Sequence, residues 1–154
     1  MIRALLTLLP LALAPSLWGQ TSWADEPGGL TLELNAVQDS PRQSEDQAQG
    51  PGACQLTVVT TNATGQAFDR AAWQVAVFDT GGVVRGLPVL DFGALTSGKT
   101  KVAVFELPGR PCAEIGRIVV NDVADCRIAG GQEAPDLCLN HLAARSLTAI
   151  AFGL

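Results

Sequence analysis

The sequence predicts an all-β sandwich of about seven short strands, and three observations carry that prediction. Apolar and polar residues alternate with period two in several separate stretches; Gly, Pro and Asn clusters punctuate them; and four cysteines are spread along a chain of 154 residues. The clearest alternation is CQLTVVTTN, Cys54 to Asn62, which places Cys54, Leu56 and Val58 on one face and Gln55 and Thr57 on the other. Its β-branched content suits a pleated, half-buried surface.

At the N-terminus, Arg3 precedes an apolar run from Ala4 to Leu17 that Pro10 and Pro15 interrupt. Ser22-Trp23-Ala24 then sets small residues three and one before a cut, so residues 1–24 read as a secretory signal peptide. The run falls short of the roughly 20 residues a spanning helix needs, and no later stretch is apolar enough to insert after cleavage. Residues 25–154 are then one domain with one core. Without Arg3 that domain carries 9 basic and 15 acidic side chains, and its scattered basic residues argue against nucleic acid as a partner.

Leu30, Leu32 and Leu34 alternate with Thr31, Glu33 and Asn35, giving a first strand. From Gln38 to Ala53 the chain turns to Gln, Ser, Asp, Glu, Pro and Gly, so residues 38–53 are expected to form an exposed polar loop. Cys54 to Asn62 is the second strand. Trp73, Val75 and Val77 form a third, which returns through Thr80-Gly81-Gly82 into Val83-Val84-Arg85 as a hairpin. Leu87 to Phe92 contains Pro88 and reads as an edge segment, with Gly93 to Gly98 a connection. Lys101 to Leu107 and Ile115 to Val123 are further strands, and Ser146 to Phe152 closes the set. Between the last two, Pro135, Leu139, Leu142 and Ala143 have helical spacing, predicting a short helix inside the connection Ala124 to Arg145.

The strand closing into Asn62-Ala63-Thr64-Gly65, the run VFDTGG (Val77 to Gly82) and LTSGKTKVAVFEL (Leu95 to Leu107) together resemble immunoglobulin-like and fibronectin-like bacterial modules, including adhesion-related ones, over roughly residues 30–123. The resemblance implies an immunoglobulin-like antiparallel β-sandwich and no particular activity. The chain lacks tyrosine, so the tyrosine corner of antibody-type domains is missing. With CAEIGRIVVNDVADC (Cys112 to Cys126), the whole is similar to small exported bacterial proteins of uncharacterised function.

Cys54, Cys112, Cys126 and Cys138 form an even set in an exported chain, which favours two disulfides. In a sandwich, the strands beginning near Cys54 and Cys112 start at one end, and Cys126 and Cys138 flank the connection at the other. A bridge between ends would cross about 23 Å of strand, whereas disulfide Cα atoms lie about 4.4–6.8 Å apart. The expected pairs are therefore Cys54–Cys112 and Cys126–Cys138. Zinc is not expected, because the cysteines lack the paired C-x-x-C spacing that sets two thiolates on one turn.

Gly93 to Thr100 matches G-x-x-x-x-G-K-T, the phosphate-cradling loop, yet that loop must open a helix and here strand alternation follows. Asn62-Ala63-Thr64 matches a glycosylation acceptor and reads better as a turn. His141 is the only histidine; set beside Asp136, Arg145 and Ser146, it could be drawn as a hydrolase or ligand-binding site. The favoured expectation is a periplasmic or secreted, non-enzymatic interaction or structural module without cofactor or metal. Another envelope protein would be its partner, bound through a sheet edge or the Ala124 to Arg145 connection, with Arg127, Asp136, His141 and Arg145 as candidate contact residues.

Overall fold

In a computed structural model describing residues 28–40 and 52–154, two packed β-sheets form the predicted all-β sandwich. The first sheet contains β1 (Leu30–Ser40), β2 (Ala53–Asn62), β6 (Thr100–Leu107) and β8 (Leu142–Ser146), in the order β6-β2-β1-β8. The second is built on β3 (Phe68–Asp79), with β7 (Ile115–Ile128) on one side and β4 (Val84–Gly86) and β5 (Val89–Leu95) sharing the other. β9 (Ala151–Gly153) lies outside β7, and α1 (Pro135–Leu139) sits in the connection from β7 to β8.

The alternating residues supply the core as their period requires. Leu30, Leu32 and Leu34 of β1 face inward beside Cys54, Leu56 and Val58 of β2, and all six are buried. The two sheets meet through an aromatic chain: Trp73 of β3 packs edge-on to Phe92 of β5 at 5.7 Å, and Phe92 packs edge-on to Phe105 of β6 at 5.1 Å. Trp73 also donates its buried indole N–H to the Cys138 carbonyl of α1 at 3.0 Å. The core thereby fixes the helix that closes one end of the sandwich.

Both expected disulfides are formed. Cys54–Cys112 ties β2 of the first sheet to the 3-10 turn Cys112–Glu114 that leads into β7 of the second, with Cα atoms 4.8 Å apart. Cys126–Cys138 ties β7 to α1 over 6.2 Å. Two closed disulfides indicate an oxidising, extracytoplasmic setting. Among the described residues no helix is long and apolar enough to cross a membrane.

Several boundaries differ from the sequence reading. Gln38, Asp39 and Ser40 continue β1 and pair with Gln55, Cys54 and Ala53, so the loop expected at 38–53 loses both its ends to strands. The rest of that loop, and the signal peptide expected at residues 1–24, lie outside the described residues. A register shift at Asn35 explains the early ending: beyond it the inward phase moves to Val37, and simple alternation breaks. Gly93 to Leu95 belong to β5 rather than to a connection.

β7 runs on to Ile128, past the expected end at Val123, because shifts at Asn121 and Ala124 hide its period. The connection therefore begins after Ile128. Leu142 and Ala143 are in β8, so α1 stops at Leu139. Ser146 to Phe152 is not one strand. β8 and β9 belong to different sheets, and the chain crosses the sandwich between them, burying Ile150 on the way. β8 runs parallel to β1 and β9 parallel to β7, a departure from a wholly antiparallel sandwich.

Candidate functional site

The four candidate contact residues fall in separate settings. Arg127 is on β7, where its Nε donates to Asp125 at 2.8 Å. Asp136 is exposed in the first turn of α1, and its carbonyl accepts from the Asn140 N–H at 2.9 Å. His141 precedes β8; its carbonyl accepts from the Leu30 N–H at 3.0 Å, while its imidazole is exposed. Gly29 lies so close to that carbonyl that any Cβ there would collide with it. Arg145 is on β8 and donates to Glu33 of β1 at 2.8 Å. Ser146 Oγ accepts from the Thr148 N–H at 3.0 Å and shares a hydrogen bond with Thr148 Oγ1.

Arg127 belongs to a ladder of charges across the second sheet that the linear sequence does not reveal. Asp91 of β5 accepts from Arg70 of β3 at 2.6 Å; Arg70 also pairs with Asp125 of β7 at 3.6 Å, and Asp125 with Arg127. The hydrogen bond from Arg70 holds the Asp91 carboxyl below its ordinary range, and that from Arg127 does the same for Asp125. Nearby, Asp69 accepts from the Gly130 and Gly131 N–H groups at 3.0 and 3.1 Å, securing the turn after β7. An open groove of about 260 Å³ runs along Asp125, Arg127, Glu133 and Pro135. Two of its charged side chains, Asp125 and Arg127, are paired with each other. Among the described residues no group of three His, Cys, Asp or Glu side chains converges to hold a metal ion.

A second groove, of about 310 Å³, lies at the opposite, Cys54–Cys112 end, between Leu87 and Pro88 on one side and Leu107 and Pro108 on the other, with Arg85 and Arg110 at its rim. Arg85 is paired with Asp79 at 2.7 Å, and Arg110 donates to the Arg85 carbonyl at 3.4 Å. Sequence reasoning missed this groove. The prolines at 88 and 108 mark both of its walls, but only the sandwich brings them together.

The G-x-x-x-x-G-K-T stretch is the end of β5, a turn at residues 96–99 and the start of β6, and it carries the chain from one sheet to the other. Its Gly98 N–H is committed to the Asn62 carbonyl at 2.8 Å and its Lys99 N–H to the Thr96 carbonyl at 3.2 Å, and a strand follows. Lys101 donates to the Phe92 and Ala94 carbonyls on the outer side of β5. Asn62 is buried to 1 % exposure. Its amide donates to the carbonyls of Gln66 at 2.7 Å and Leu95 at 3.2 Å and accepts from Thr64. A side chain so occupied is a hinge pin for the turn and is inaccessible to a glycosylating enzyme in the folded state.

What the sandwich leaves open is an edge. β6 pairs with β2 from Leu107↔Cys54 to Thr100↔Thr61 without a register shift. Among the described residues no other strand pairs with β6. The remaining edges are short or interrupted: β4 and β9 have three residues each, β8 has five, and β5 is shifted against β3. Val102 and Val104 stand on the outer face of β6 at 61 % and 58 % exposure, beside Val59 and Thr57 of β2. Comparison with protein families, curated proteins and solved structures finds no match to this chain.

Proposed function

We propose that the protein is a non-enzymatic interaction module of the periplasm or the exterior, and that it binds through the β6 edge. The observation that carries this reading is the unbroken strand edge with two outward valines. Strand addition supplies affinity through main-chain hydrogen bonds and specificity through alternate side chains, and β6 offers both. The connection around α1 is the weaker candidate. It is pinned by Cys126–Cys138 and by Trp73, and Arg127 beside it is already paired with Asp125. The test is site-specific photo-crosslinking in intact cells from position 104, with Leu137 of α1 as the control position. A discrete adduct from position 104 that survives His141→Ala supports the reading. An adduct from position 137 alone, or a phenotype lost with His141→Ala at unchanged melting temperature, contradicts it.

A further inference from the structure

The β6 edge matches a second copy of itself, and we infer that the chain forms a two-fold dimer by antiparallel β6–β6 pairing centred on Ala103. This rests on the reading of β6 as the binding edge and names its occupant. The first argument is the phase of the backbone. In an antiparallel ladder, alternate residues direct both N–H and C=O to one neighbour. The Asn62 N–H donates to the Lys99 carbonyl at 3.0 Å, so Lys101, Ala103, Phe105 and Leu107 face β2. Thr100, Val102, Val104 and Glu106 therefore present their main-chain groups to the open side. With Ala103 on the axis, Thr100 meets Glu106 of the second copy and Val102 meets Val104. Every outward-facing group on β6 finds a complement in that register, and shifting it by two residues strands some of them.

The side chains agree with the backbone. Residues opposite each other in this register lie on the same face of the sheet, so the outer valines, exposed at 61 % and 58 %, gather into one apolar cluster about the axis. No like charges are opposed. Lys101, the one charged side chain on the inner face of β6, is held by the Phe92 and Ala94 carbonyls of its own chain. It thus blunts the β5 edge and leaves that of β6 free. The product is a continuous sheet across two sandwiches.

The test is sedimentation velocity on the purified chain with both disulfides closed, over a concentration series. The wild type is expected to pass from one to two chain masses. Val102→Lys and Val104→Glu, both at exposed positions that leave the fold intact by melting temperature, are each expected to weaken the dimer about tenfold. Mixing the two variants should restore a mixed dimer to near wild-type strength, because the introduced lysine then faces the introduced glutamate and the remaining valines face each other. A dimer indifferent to both variants, or no recovery on mixing, overturns the inference. A monomer that cross-links from position 104 to a different envelope protein overturns self-pairing and leaves the β6 reading standing. A monomer that gives no adduct from that position overturns both.

Discussion

Replacing Asn62 by Ala removes the one polar side chain that joins the end of β2, the turn after it and the end of β5. Its amide group donates to Gln66 and Leu95 and accepts from the Thr64 N–H and hydroxyl, all from a position 1 % exposed. Each intramolecular hydrogen bond contributes about 1 kcal/mol net, and a buried carbonyl left without a donor costs about 1–3 kcal/mol. Water can reach the half-buried Thr64 and exposed Gln66 groups after the change, whereas the Leu95 bond is buried. The expected loss is about 3 kcal/mol, read as a lower urea midpoint at unchanged slope in equilibrium unfolding. Asn62→Asp should be at least as damaging at neutral pH, because a carboxylate cannot donate to the two carbonyls. A loss below about 0.5 kcal/mol for both variants would refute the assignment of Asn62 as the pin of this corner.

Three further outcomes follow from the same packing. Thr60, fully buried on β2, has a hydroxyl without a hydrogen-bond partner among the described residues; Thr60→Val should stabilise the chain by about 1 kcal/mol in the same unfolding assay. Opening the disulfides singly by paired Cys→Ala changes should cost about 4 kcal/mol for the Cys54–Cys112 loop, separation 58, and about 3 for Cys126–Cys138, separation 12; the reverse order would contradict the chain-entropy account. The carboxyls of Asp91, Asp125, Asp79 and Glu33 are all held below their ordinary values, chiefly by Arg70, Arg127, the Val83 N–H and Asn35 respectively. Folded values below the unfolded ones mean that this stability is complete above the ordinary carboxylate range, about pH 4, and is lost as pH falls through the lowered values. Melting temperature should therefore fall in acid, with a shallower acid slope in Arg70→Gln, which takes from Asp91 its principal partner and leaves it the Gly93 N–H.

The sequence reveals the strands wherever one face is buried and the register is regular. β2 is the clearest case: its apolar–polar alternation from Cys54 to Val58 matches the burial residue for residue, and the burial keeps the same period beyond it, where Thr60 and Asn62 are the buried residues and Val59 faces outward. Bulges erase the same signal, which is why β1 appears to end at Asn35 and β7 at Val123. The parallel pairings of β8 and β9 are set by long-range closure, to which a local pattern is blind. Leu142 and Ala143 fall at helical spacing after Pro135 by coincidence; burial of Leu142 beside β1 decides for the strand. The disulfide pairing was readable because strand length excludes a bridge between ends.

The charged and exposed features were harder to read because they depend on which strands are neighbours. Arg70, Asp91 and Asp125 come from three strands and meet only through the registers of β3 with β5 and β7. Val102 and Val104 could be placed opposite Phe105 from their alternation alone. Nothing local says that β6 is the last strand of its sheet, and that position is what turns two outward valines into a binding edge.

Residue-resolved amide exchange along β6, followed from dilute to concentrated protein, tests the open edge most directly. In dilute solution the N–H groups of Val102 and Val104 should exchange at least about tenfold faster than those of Ala103 and Phe105, which face β2, and should slow as concentration rises. Equal protection of all four at every dilution would show that the edge is already covered, and would contradict the account.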